Sequence, residues 1–140
     1  MFKRILIPTD GSSLSRLAIE NGVALAKAVG AKVTGLSAIR PTNEPQGNGT
    51  LMLGGHVAED AADEFLKDFI RIAQEAGVPY DSYTITAETV HDAVVGAAES
   101  LSCDLICMGT HGRSQLGKIL FGSELTSILS ECKIPVLVYR

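Results

Sequence analysis

Short apolar runs alternate with segments of helical period along this chain, and that alternation restricts the fold more than any single residue does. The runs lie at Lys3–Pro8, Val33–Ile39, Tyr83–Thr86, Asp104–Met108 and Pro135–Tyr139, each too short for a helix and suited to a buried strand. Between the first two, apolar residues at Leu14, Leu17, Ala18, Leu25, Ala28 and Val29 predict a helix that Gly30 stops. A second helix is expected along Ala58, Ala62, Phe65, Phe69, Ile72 and Ala76, ended at Gly77. A third follows Val90, Ala93, Val94, Ala97 and Leu101. A last one runs from Ser123 to Cys132 with Leu125, Ile128 and Leu129 inward. Strand followed by helix throughout gives an α/β fold class with a parallel sheet, as one domain over 1–140 without internal repeat or linker.

The segment 40–56 breaks the alternation. It holds two prolines, four glycines and two asparagines without periodicity, and reads as a long loop. Its Leu51-Met52-Leu53 forms either a short packed turn or a contact for a ligand or partner.

Composition narrows the class further. Apolar residues make up 46% of the chain and aromatics only 5%, with no Trp, so the core must be aliphatic and alanine-rich, which suits helices packed on a parallel sheet. A net charge of −4 without a basic run argues against a nucleic-acid partner. Three cysteines, with no C-x-x-C, point to a reducing compartment. The N-terminal apolar run is too short for a signal peptide or a membrane span, so a cytoplasmic location is expected.

The stretch with the most chemistry in it is Asp104–Glu124. An apolar strand, Leu105-Ile106-Cys107-Met108, feeds a loop carrying Gly109, Gly112, Gly117 and Gly122, and Ser123 opens the next helix as its N-cap. Glycines let backbone N–H groups approach an anion, and a helix N-terminus adds unpaired donors and a favourable dipole. Gly112-x4-Gly117-Lys118 nearly matches a P-loop, but Ile119 stands where a hydroxyl must reach magnesium. The dinucleotide fingerprint fails as well, because no glycine pair has its first spacing.

The pattern that does fit is Gly109-x2-Gly112-x9-Gly122-Ser123, with Thr110-His111 inside it and Ile134-Pro135-Val136-Leu137-Val138 after it. In this the chain resembles the universal stress protein family over nearly its whole length. The resemblance implies a doubly wound, Rossmann-like domain whose five-stranded parallel sheet has the order 3-2-1-4-5. In that order the connections after strands 1 and 4 run in opposite directions, which leaves a crevice between their carboxyl ends. Pro8, Thr9 and Asp10 at the end of strand 1 and Met108 and Gly109 at the end of strand 4 would line it. The resemblance also implies ATP or another adenine nucleotide as ligand, with magnesium. Asp10 would lie against the adenosine and the backbone of Ala38 at the adenine edge, while Gly109, Gly112, Gly122 and Ser123 surround ribose and phosphates, with Arg113 beside that loop. It further implies a homodimer through the C-terminal strand and a regulatory role with a protein partner. Two rival readings are a slow ATP hydrolase or autophosphorylating protein, and a dimeric interaction module without nucleotide.

Some residues carry two readings. Asp10 is either a nucleotide-facing carboxylate or the N-cap of the first helix, a role Ser12 can also fill. Arg113 either pairs with phosphate or is solvated. His111 lacks a nucleophile or paired carboxylate nearby and is read as holding the loop. No catalytic residue is assigned. His56 and His91 lack metal-ligand spacing with Cys or carboxylates, and no metal ligands are expected. Cys103 and Cys107 are read as buried, inert thiols on one face of a strand. Many family members carry a glycine after strand 3; this chain has Thr86-Ala87-Glu88-Thr89-Val90 instead, with Thr89 as a candidate N-cap.

Overall fold

The computed structural model describes residues 1–10, 13–39, 64–109 and 124–140. In chain order these form β1 (Arg4–Pro8), α1 (Ser13–Val29), β2 (Lys32–Ile39), α2 (helical residues 64–76), β3 (Tyr80–Thr86), α3 (Val90–Ser100), β4 (Leu105–Gly109), α4 (helical residues 124–131) and β5 (Val136–Tyr139). All strand pairs are parallel, in the order β3-β2-β1-β4-β5. Ile5 pairs with both Val33 and Leu105, which sets the register across the middle of the sheet.

Strand side chains alternate between the two faces, and each face has its own core. Ile5, Ile7, Val33, Leu105 and Cys107 pack against Ala18, Ile19, Val23 and Ala26 of α1 and Phe69 and Ala73 of α2. Leu6, Leu36, Ile106 and Met108 pack on the other face against Val94, Ala97 and Ala98 of α3 and Ile128 of α4. Helices therefore cover both faces, as a parallel sheet requires. Gly30 and Gly77 end α1 and α2 at positive φ, +73° and +70°, where a side chain would be strained.

The amino end of the sheet is held by polar bonds. Arg4 donates from Nε to Thr34 Oγ1 at 2.9 Å, from Nη1 to the Leu101 carbonyl at 3.1 Å and from Nη2 to Asp81 Oδ2 at 2.5 Å. Thr34 in turn donates to Asp81 Oδ1 at 2.6 Å, and Lys32 Nζ lies 3.0 Å from Asp81 Oδ2. Asp104 accepts the backbone N–H groups of Lys3 and Arg4. Strands β1, β2 and β3 are thus tied together at one end by one set of charges.

Several elements depart from the sequence expectation. β3 starts at Tyr80 instead of Tyr83, because Asp81 and Ser82 sit at the sheet edge where a strand need not be apolar. The inward face of α1 is Ser15, Ala18, Ile19, Gly22, Val23 and Ala26, whereas Ala28 is exposed and Leu17 and Leu25 lie at the rim. Small residues at the contact bring the helix backbone close to the sheet. In α4, Ile128 is fully buried and Leu125 partly so, but Leu129 is 56% exposed. Cys103 and Cys107 are both buried, yet on opposite faces, since Cys103 lies in the turn before β4. Burial pushes their thiols up to about 11 and about 12 respectively, which leaves them protonated and unreactive.

Candidate functional site

At the carboxyl end of the sheet, where the strand order reverses, a crevice encloses about 390 Å³, part of it open to solvent. It is lined by Pro8, Thr9, Asp10, Leu36, Ser37, Ala38, Phe65, Val90 and Val94. The walls are mainly apolar, and Asp10 is the one carboxylate among these residues.

Strand geometry explains what the crevice offers. The ladder between β1 and β2 ends with the Thr9 N–H donating to the Leu36 carbonyl at 2.8 Å. In a parallel ladder, residues two apart aim their backbone groups at the same neighbour, so Ala38 aims its N–H and C=O towards the β1 side. β1 has already ended there. Ile39 aims the other way, and its carbonyl accepts the Ala87 N–H at 2.9 Å. An N–H beside a C=O at the wall of an apolar slot is a donor–acceptor pair for the edge of a flat heterocycle. The Thr9 hydroxyl lies 3.0 Å from Ser15 Oγ, both side chains being buried, and Ser15 Oγ also accepts the Asp10 N–H at 3.4 Å. These contacts fix the turn that carries Asp10, which stands half-buried on the crevice wall.

Of the residues expected at the site, Pro8, Thr9, Asp10 and Ala38 meet in this crevice. Met108 is fully buried with Leu6, Val94 and Ile128 and is not among the residues that line the crevice. Gly109 is the last residue of β4 and pairs with Tyr139. Gly112, Arg113, Gly122 and Ser123, like His111 and the 40–56 loop, lie outside the described residues. Phe65, Val90 and Val94 were not expected at the site. They had been assigned to helix faces, and the missing signal was position along the helix. The first inward residues of a helix that follows a strand come to that strand's carboxyl end.

The entry to α3 is built without glycine. Thr89 is its N-cap, and its side chain accepts the Asp92 N–H at 3.2 Å, as the sequence suggested. Glu124 of α4, only 7% exposed, reaches this helix start and accepts the His91 backbone N–H at 2.6 Å through Oε2. The same oxygen lies 2.7 Å from His91 Nδ1, and this hydrogen bond raises the imidazole pKa against the opposing effect of desolvation.

A doubly wound sheet with a lined crevice at its switch point defines the class, an α/β protein of the architecture in which ligands sit beyond the strand ends. Comparison with known proteins makes it specific. Residues 1–140 match the universal stress protein family, and the chain belongs to that family. A universal stress protein of Methanocaldococcus jannaschii, MJ0531, is 30% identical over 142 residues, covering 100% of this chain and 83% of the relative. The structure of MJ0577 from the same organism has a TM-score of 0.83 at 26% identity, covering 99% and 95% of the two chains. A universal stress protein in complex with cAMP shares the fold at a TM-score of 0.76 and 24% identity, covering 99% and 97%. The fold also recurs in a dAMP complex from Archaeoglobus fulgidus (TM-score 0.70, 15% identity, 100% and 98% covered) and an AMP complex from Arabidopsis thaliana (0.68, 12%, 97% and 90%). Adenine nucleotides are therefore bound by proteins of this fold. No helix among the described residues is long and apolar enough to cross a membrane.

Proposed function

We propose that this protein binds an adenine nucleotide, ATP with magnesium in the first place, and acts as a one-domain, nucleotide-dependent regulatory module of the cytoplasm. The observation that carries this reading is the crevice, whose apolar walls, strand backbone at Ala38 beyond the end of β1 and carboxylate at Asp10 fit the adenosine part of such a ligand. The adenine base lies between Phe65 and Val90 or Val94, its edge against Ala38, and Asp10 accepts from a ribose hydroxyl. The triphosphate extends towards Gly109 and the loop that follows, where Gly112, Arg113, Gly122 and Ser123 stand in the sequence. The nucleotide complexes of related fold support the same ligand class. Three free thiols are in keeping with a reducing compartment.

Among the described residues of the crevice wall Asp10 is the one carboxylate, whereas fast phosphoryl transfer uses a set of metal ligands. The protein is accordingly a sensor, and dimerisation through β5 is its assembly mode. The test is calorimetry and thermal melting with ATP, AMP, cAMP and GTP on wild type and Gly112→Val. ATP is expected to raise Tm, by about 2.7 kcal/mol of stabilisation at a hundredfold excess over Kd, and GTP less. A folded Gly112→Val protein should lose ATP binding. No response to any adenine nucleotide removes the proposal, and wild-type ATP affinity in Gly112→Val removes the glycine loop from it.

A further inference from the structure

Away from the crevice, on the outer side of the α3 start, three electron-pair donors converge. His91 Nε2 lies 3.7 Å from Asp92 Oδ1 and 3.8 Å from Glu131 Oε1, and one ligand atom from each residue can be chosen so that all lie within 4.8 Å of one another. The orientation of the ring is not accidental. A carboxylate only accepts, so Glu124 Oε2 at 2.7 Å requires a proton on Nδ1, and in the neutral imidazole Nε2 then keeps its lone pair for a ligand. Glu124 itself is buried and also bound to the His91 backbone, so it cannot turn away without leaving a buried acceptor unpaired. Thr89 Oγ1 is the remaining neighbour of Nε2, at 3.5 Å, and it already accepts the Asp92 N–H.

A carboxylate that fixes the tautomer of a histidine, whose other nitrogen faces further anionic oxygens, is the arrangement that surrounds metal-bound imidazoles. We propose that His91, Asp92 and Glu131 bind a divalent first-row transition ion such as Zn²⁺, with Glu124 as the positioning residue behind His91. Imidazole with carboxylates suits zinc and its neighbours, while magnesium takes oxygen ligands. Ligand atoms about 2.0–2.2 Å from the ion require the three groups to close in from their present separations of up to 4.8 Å. Asp92 and Glu131 are exposed, at 58% and 52% of their side chains, so the ion has a path in and a place for water as a further ligand. Bound there, it joins α3 to α4 close to Val90, one residue from the crevice wall.

The experiment is titration of ZnCl₂ and MgCl₂ into nucleotide-free wild type, Glu131→Gln, His91→Gln and Cys132→Ser at pH 7.5, with circular dichroism to confirm folding. Wild type and Cys132→Ser should bind one Zn²⁺ per chain with equal affinity, Glu131→Gln should bind about tenfold or more weaker, His91→Gln should lose the site, and Mg²⁺ should give no signal. Because Glu131 is exposed, its variant tests the site even where His91→Gln fails to fold. Absence of saturable Zn²⁺ binding overturns the proposal. Equal affinity in wild type and Glu131→Gln, or loss in Cys132→Ser, overturns it too.

Discussion

Gly35 lacks a side chain because Phe69 occupies the space. A Cβ built on it would lie 2.5 to 2.8 Å from three atoms of the Phe69 ring, and that ring is fully buried. Gly35→Ala should therefore destabilise by about 1–3 kcal/mol through overpacking, read as a lower urea midpoint. Adding Phe69→Leu should recover part of the loss that the two changes would otherwise sum to. In the proposed nucleotide site Ala38 presents the opposite case, a position where the backbone and not the side chain makes the contact. Ala38→Ser should retain ATP affinity, whereas Ala38→Pro, which deletes the N–H without removing a bond of either ladder, should weaken it about tenfold. Equal binding by the two variants in calorimetry would place the base elsewhere. Neither residue was fully legible in the sequence. A glycine in a strand announces a close approach but not to what, and Ala38 drew notice only through the family resemblance.

Among the elements, the strands and the ends of the helices were readable and the helix faces less so. Gly30, Gly77 and Thr89 each act at a terminus, where the chemistry is local, and each stands where the sequence puts it. The face of α1 was only partly read: Ala18 is inward as expected, but Ile19, Gly22, Val23 and Ala26 complete the contact, while Leu17 and Leu25 sit beside it. Volume marks a core face poorly when backbones pack closely. The Arg4–Thr34–Asp81–Lys32 cluster was missed for another reason, since its members come from three separate strands. Burial tends to raise the Asp81 pKa, but the Thr34 hydroxyl, Lys32 and Arg4 together hold it below its ordinary value. A folded pKa below the unfolded one contributes stability that is present above about pH 4. That contribution fades as pH falls through the folded value. Urea unfolding of wild type and Asp81→Asn should differ at pH 7 and converge below pH 4; a gap unchanged by pH would show that this carboxylate gains nothing from its partners.

At the scale of the whole molecule, the two ends of the sheet have different tasks. The amino end is closed by ion pairs, and the carboxyl end is left with an open slot. The strand order that produces the slot was predicted correctly, though by family pattern, because local periodicity says nothing of which strands are neighbours. β5 ends the sheet and is bonded to β4 alone among the described strands, with Leu137 36% exposed. If a second copy covers this edge, Leu137→Glu should convert a dimer into a monomer by light scattering, with the secondary structure unchanged. The register gives this edge a further meaning. Gly109, from which the glycine loop departs, is paired with Tyr139, the last residue of β5. An edge that joins subunits would thus share a hydrogen-bonded rung with the root of the nucleotide loop. Thermodynamic reciprocity then applies: if subunit association favours one arrangement of that rung, nucleotide must strengthen association by the same factor that association strengthens nucleotide. Apparent nucleotide affinity would then depend on protein concentration, and the chain would register its own abundance as well as that of its ligand.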